Sequence, residues 1–253
     1  MIAPGPSLLE VVHLRKAFGG VEAVGDVSFA VAAGELVALI GPNGAGKTTC
    51  FNLINGQLAP DGGTVRLAGE RIDGLPPRRI AAKGVGRTFQ TAAIFASMTV
   101  RENVQLALIA HAREQMRLTS LATHAHAIEA DALLERVGAA PLARQLCATL
   151  AYGDLKRVEL AIALASGPRL LLMDEPTAGT APGDRAGLMR LAAGLVRGNR
   201  IAALFTEHDM DVVFGYADRV IVLDRGRIIA QGPPAVIRAD PRVRAVYFGA
   251  GGA

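Results

Sequence analysis

Leu36-Val37-Ala38-Leu39-Ile40-Gly41-Pro42-Asn43-Gly44-Ala45-Gly46-Lys47-Thr48-Thr49 decides the fold of this 253-residue chain. Its first five residues form an unbroken apolar run, the pattern of a short strand buried on both faces of a parallel sheet. The run ends in the spacing Gly41…Gly46-Lys47-Thr48, that of a phosphate-cradling loop. Glycines let the backbone curl into a nest whose N–H groups point at phosphate oxygens. A helix expected from Lys47 to about Asn55 adds the positive end of its dipole. In such a loop Gly41, Pro42, Asn43, Gly44, Ala45, Gly46 and Thr49 surround the phosphates, Lys47 reaches the β- and γ-phosphates, and Thr48 offers its hydroxyl to Mg²⁺. A glycine-rich turn that merely precedes Lys-Thr accounts poorly for its place between strand and helix.

Outward from the loop, short β-rich runs alternate with helical ones, which predicts an α/β fold with a largely parallel sheet. Strands are expected at 8–14 and 27–31 in an antiparallel edge portion, and Gly62-Gly63 turns the chain into a strand at 64–68. From about Thr91 to Leu150 the β-branched runs vanish, and 101–116 and 127–137 carry helical spacing. Alternation then resumes: strand 169–173, helix 183–196, strand 201–206, helix 209–216. A hairpin (219–223 and 227–231) and a helical tail ending near Phe248 follow. The expected organisation is one domain over 1–253. Its nucleotide-binding core spans 1–90 and 151–253, and a helical subdomain is inserted at about 91–150.

Half the residues are hydrophobic (51%), enough for a sizeable core, and the net charge of +4 comes from scattered Lys and Arg. A scattered excess is an ordinary solvated surface, so no nucleic-acid partner is expected. Cys50 and Cys147 stand in no CxxC motif and read as small buried hydrophobes in a reducing cytoplasm. Residues 1–6 lack a basic region followed by an apolar one, and no apolar run is long enough to cross a bilayer. Any membrane role is expected to come through a partner.

Arg169-Leu-Leu-Leu-Met-Asp174-Glu175 is an apolar strand ending in two carboxylates, opening into the crevice where α/β ligands bind. Asp174 suits a Mg²⁺ shell, and Glu175 is placed as the general base that polarises an attacking water.

With these motifs in order, nearly the whole chain, from about Leu8 to Phe248, resembles the ABC ATPases. That resemblance implies a P-loop NTPase core with an antiparallel β subdomain and an inserted α-helical subdomain. It implies that Phe18 stacks on adenine, where the alternative is a core Phe at a strand end. It assigns Gln90 to the Q-loop, beside Mg²⁺ and the attacking water, and His208 to the switch histidine that contacts the γ-phosphate. Leu150-Ala151-Tyr152-Gly153-Asp154 is similar to the signature segment, which closes over ATP held by another subunit; the family's serine is Ala151 here and its glutamine Asp154. Ala151, Tyr152 and Gly153 are therefore expected at a partner's nucleotide, with Asp154 pointing away. The D-loop, Ala178-Gly179-Thr180-Ala181, lacks the family's frequent aspartate. His124 and His126, two apart, are expected in solvent and not on a metal.

The Ala-Tyr-Gly signature, Arg-Thr-Phe-Gln, the D-loop Ala-Gly, Glu-His-Asp-Met and the ending Arg244-Ala245-Val246-Tyr247-Phe248-Gly249 together look like the ATPases of branched-chain amino-acid importers. The resemblance implies a peripheral subunit on the cytoplasmic face of the inner membrane. Its partners would be transmembrane permease subunits, a second ABC ATPase in a head-to-tail homo- or heterodimer and, indirectly, a periplasmic solute-binding protein. Permease contact is expected around Gln90 to Thr99, with Ile94 and Phe95 either docking anchors or core residues. Alternative readings are a cassette for urea, amides or lipopolysaccharide export, a non-transport ABC protein, or a catalytically silent nucleotide sensor.

Overall fold

The apolar run at the head of the phosphate loop is a strand, β3 (Leu36–Ile40), with all five residues buried. The computed structural model describes residues 7–88, 94–112 and 126–248. Along β3, Val37 and Leu39 enter one core while Leu36, Ala38 and Ile40 enter another. The strands β7 (Leu170–Asp174) and β8 (Ala202–Thr206) divide their side chains in the same way. Period-two alternation in a strand that is apolar throughout can only be satisfied by cover on both faces.

These three strands join β6 (Val85–Thr88), β9 (Arg219–Asp224) and β10 (Arg227–Gly232) in a six-stranded sheet of order β10-β9-β3-β8-β7-β6. β3 runs parallel to β8 and β9, β7 runs parallel to β6 and β8, and β10 returns antiparallel as the hairpin partner of β9. A second, antiparallel sheet has the order β2-β1-β4-β5, from β1 (Ser7–Phe18), β2 (Val21–Ala32), β4 (Gly62–Leu67) and β5 (Glu70–Arg71). Its Leu9, Val11, Val27 and Val65 pack with Phe51 and Ile54 of α1 (Lys47–Ile54) over one face of the large sheet.

The opposite face carries α3 (Val100–Ala112), α4 (Ala127–Arg136), α5 (Tyr152–Leu164), α6 (Pro182–Gly198) and α7 (Met210–Tyr216), with α8 (Pro234–Ala239) and α9 (Pro241–Phe248) at the end of the chain. Burial of each large apolar side chain stabilises by about 1.5–3 kcal/mol. The parallel pairing of β8 with both β3 and β7 sets how the ends of the three strands lie relative to one another.

Several expectations need correction. Gly62 and Gly63 lie inside β4, not in a turn before it. A Cβ at Gly63 would meet His13 O at 2.3 Å, where irregular pairing brings β1 and β4 together. β6 and the short α2 (Pro77–Ala82) escaped sequence reading because Val85-Gly86-Arg87-Thr88 has neither length nor hydrophobic pattern. His126 is half-buried beside Glu129, Nδ1 to Oε1 3.5 Å, and not solvated; His124 lies outside the described residues. Cys50 and Cys147 are free and buried, as expected.

Candidate active site

The phosphate loop leaves β3 under tight steric control. A side chain at Gly41 would put its Cβ 2.3 Å from Leu223 O, and one at Gly46 would put it 2.4 Å from Ala23 O. Gly46, at φ +104, is also the N-cap of α1, with no side chain capping the helix and no acidic residue in its first turn. The first N–H groups of α1 are therefore left for an anion. Lys47 folds back over the loop, its Nζ donating to Gly41 O (2.6 Å) and Pro42 O (3.1 Å). Burial lowers its pKa, and the charges of Glu175 and Asp174 pull the other way.

The hydrolytic side comes from β7 and β8, which end in register at Asp174 and Thr206. The Thr206 hydroxyl donates to Asp174 Oδ1 (2.7 Å), and an Arg87 guanidinium nitrogen donates to Oδ2 (3.3 Å). Burial lowers the pKa of Arg87, opposed by the Asp174 charge. Glu175 leaves the strand in a left-handed conformation (φ +49), its N–H held by both the carbonyl and the hydroxyl of Thr206 (3.1 Å each). A non-glycine residue in that region stores strain of about 1–3 kcal/mol. Here the turn aims the Glu175 side chain so that Oε1 lies 2.9 Å from His208 Nε2. His208 is 52% exposed and free to reach a ligand.

One cavity of about 190 Å³ is lined by Asn43, Gly44, Ala45, Gly46, Lys47, Thr48 and Thr49 together with Ala23, Glu175 and His208. Residues 100 or more apart in sequence thus face one space large enough for a triphosphate tail. Asp174 lies behind it, buried, through its bonds to Thr206 and Arg87. Phe18 is 47% exposed, beside Lys16 Nζ at 5.6 Å, which rules out the core alternative for this ring. Ala151, Tyr152 and Gly153 do not line this cavity. Gln90 lies outside the described residues.

Sequence reading missed the supporting residues. Thr206 was visible only as a polar strand end, and its partner Asp174 is 32 residues away. Buried Glu207 accepts from both the N–H and the hydroxyl of Thr177 (2.7 and 2.6 Å), fixing the chain just after Glu175. Asp209 caps α7 through the N–H groups of Asp211 and Val212 and holds Arg185 at 2.8 Å. An Asp before a helix was a readable cap signal; the others depended on strand pairing.

The donor set fits Mg²⁺. Thr48 is exposed at the cavity and Asp174, behind it, carries a carboxylate, both of them hard oxygen donors. Mg²⁺ favours that arrangement, one or two protein oxygens with phosphate and water completing the shell.

A nest for phosphate, a strand-end carboxylate pair and a histidine on the general-base candidate, in a sheet flanked by an antiparallel β layer, define an ATP-hydrolysing cassette. The sequence model described as ABC transporter matches residues 24–178, and the chain belongs to that family. A second model, described as Branched-chain amino acid ATP-binding cassette transporter, matches residues 227–253 and sets the group within it. The chain is similar to BraF of Pseudomonas aeruginosa, a high-affinity branched-chain amino acid transport ATP-binding protein. The two are 40% identical over 249 residues, covering 96% of this chain and 98% of that protein. LivG of Escherichia coli, named likewise, is 39% identical over the same length. The crystal structure of the ADP conformation of MJ1267, an ATP-binding cassette of an ABC transporter, superposes with a TM-score of 0.87 at 30% identity, covering 97% of this chain and 100% of that one.

Proposed function

We propose that this cassette binds and hydrolyses ATP to power the uptake of branched-chain amino acids through a membrane permease. The observation that carries the reading is the shared cavity, in which the phosphate loop, Glu175 and His208 meet while the signature residues stay outside. A site so divided needs a second ATPase subunit, placed head to tail, whose own Ala151, Tyr152 and Gly153 close over the nucleotide. The cargo reading is supported by the branched-chain model over 227–253 and by the names of the similar proteins.

In the closed site the N–H groups of Gly44 to Thr49 and the Lys47 ammonium hold the β- and γ-phosphates. Thr48, Asp174 and Gln90 would hold Mg²⁺, which when bound neutralises charge shared by those phosphates. Glu175 orients the attacking water and takes its proton, and His208 steadies Glu175 before turning to the γ-phosphate. Phe18, exposed at the end of β1, supplies the face for adenine.

No described helix is long and apolar enough to cross a membrane. The transporter reading places the subunit on the cytoplasmic face of the inner membrane, held there by permease subunits and served indirectly by a periplasmic solute-binding protein. It is one cassette with a helical subdomain at about 91–150. Permease contact is assigned to the surface around Phe95, which is 56% exposed, whereas Ile94 packs on the core. A deletion strain should lose uptake of labelled leucine and keep uptake of labelled urea. Unchanged leucine uptake sinks the cargo reading, and recovery by a Glu175→Gln copy sinks the requirement for hydrolysis.

A further inference from the structure

Polar side chains unused by the site collect beneath the start of α5. Lys156 and Glu159 are only 4% and 5% exposed and approach to 3.0 Å, Nζ to Oε2. Neither makes a well-aligned hydrogen bond, and the buried Thr88 hydroxyl at the end of β6 has no partner among the described residues. Burial raises the pKa of Glu159, opposed by Lys156. All three residues line one cavity of about 20 Å³, whose other walls include Met173 and Pro176, on either side of Asp174 and Glu175. A buried water needs about 10–15 Å³ and two to four polar partners, and this cavity offers both.

One turn earlier on α5, the Tyr152 ring lies 5.4 Å from Lys156 Nζ. The same ring rests on Gly179 of the D-loop. A Cβ at Gly179 would come within 2.6 Å of Tyr152 Cε1 and 3.0 Å of Cδ1, and the backbone there has φ +77. So α5 touches the chain segment that follows Glu175 through the Tyr152 ring, and one turn further on its Lys156 and Glu159 share a cavity with the residues that flank Asp174 and Glu175. A buried ion pair is often no more stabilising than apolar residues of the same shape, so stability alone is a poor account of Lys156 and Glu159.

We propose that Tyr152, seated on Gly179 and backed by the hydrated Lys156–Glu159 pair, is a positioning residue that locks the signature helix to the loop carrying Glu175 of the same subunit. The proposal rests on the reading that each site is shared by two subunits. The lid that one subunit lends its partner then moves with its own hydrolytic carboxylate, which links closure of one site to the readiness of the other. The contact requires a glycine at 179, because a Cβ there would collide with the bulky Tyr152 ring.

The test is a double-mutant cycle on the assembled transporter, with Gly179→Ala, Tyr152→Ala and the double variant. The φ strain that a side chain brings to position 179 is common to both backgrounds and cancels. Gly179→Ala should lower kcat about tenfold with Tyr152 present and less than about threefold with Tyr152→Ala, and within each background Gly179→Ala should change KM for ATP less than about twofold. An additive cycle in kcat, or coupling confined to Tm of the isolated subunit, overturns the proposal. Should Gly179→Ala fail to fold, the pair Lys156→Met/Glu159→Met decides, since it leaves no orphan charge. Turnover about tenfold down at unchanged Tm and ATP binding supports the lock, and wild-type turnover overturns it. A wild-type subunit that hydrolyses ATP without pairing overturns the shared-site reading as well, whereas an additive cycle in a transporter whose cassettes pair overturns the lock alone.

Discussion

The starts of α1 and α5 are both helix N-termini that the family turns toward phosphate, and they are built on opposite principles. At α1 the cap is Gly46, no acid stands in the first turn, and Lys47 adds a positive charge beside the free N–H groups. At α5 the cap is Ala151, which offers no side-chain bond, and Asp154 sits in the first turn. A Cβ on Gly153 would lie 3.9 Å from a second carboxylate oxygen, Asp184 Oδ2. Negative charge at a helix N-terminus offsets its dipole. So α1 can hold an anion by itself, while α5 by itself is a poor anion site. The difference also lies beneath the surface: past Lys47 the buried side chains of α1 are apolar, whereas α5 buries an ion pair of its own, Lys156 and Glu159, beside its apolar residues.

Substitutions at the two ends test this contrast. Glu175→Gln removes the proton acceptor of the α1 site and should slow phosphate release about 10²–10⁴-fold while nucleotide binding persists; a rate near that of the parent breaks the assignment of the base. Beneath α5, Lys156→Met alone strands a buried carboxylate and should cost about 3–5 kcal/mol in urea unfolding. Adding Glu159→Met should recover most of that loss, and no recovery would mean that the pair is not one unit.

Smaller effects are expected at the caps. Asp209→Ala should cost about 0.5–2 kcal/mol through the loss of the α7 cap. The bond from Arg185 holds the Asp209 pKa below its ordinary 3.8 against the effect of burial, helped by the N–H groups of Val212 and Asp211 and by the Arg185 charge. A depressed folded value means that the contribution is complete above that ordinary value and is lost as pH falls through the folded one. The variant's Tm should therefore fall less steeply in acid than the parent's. Smallest of all, Ala151→Ser adds a neutral donor at the lid and should strengthen ATP-driven pairing of Glu175→Gln subunits by about 0.5–1.5 kcal/mol, roughly two- to tenfold in sedimentation. No gain would show that the lid does not reach the nucleotide through this residue.

The strand–loop–helix unit at 36–54 was legible residue by residue because its signals are local: an apolar run, glycines where side chains collide, and a helix start left uncapped. Asp174, Glu175 and His208 were legible as strand ends, and the motif order assigned their roles. Thr206 and Arg87 were not, since their importance lies in which strands pair. β6 was invisible because four residues of mixed polarity become a strand only beside β7. The Tyr152–Gly179 contact joins two residues of the signature and D-loop segments that look unrelated along the chain.

By itself, then, the sequence determined the class of fold, the phosphate loop and the identity of the acidic pair, because backbone preference, period and spacing are properties of neighbouring residues. Tertiary structure alone decided that Asp174 is shared between Thr206 and Arg87, that Glu175 turns onto His208, and that α5 is tied to its own D-loop. Each of these depends on strand register and on packing between elements, which bring together groups dozens of residues apart.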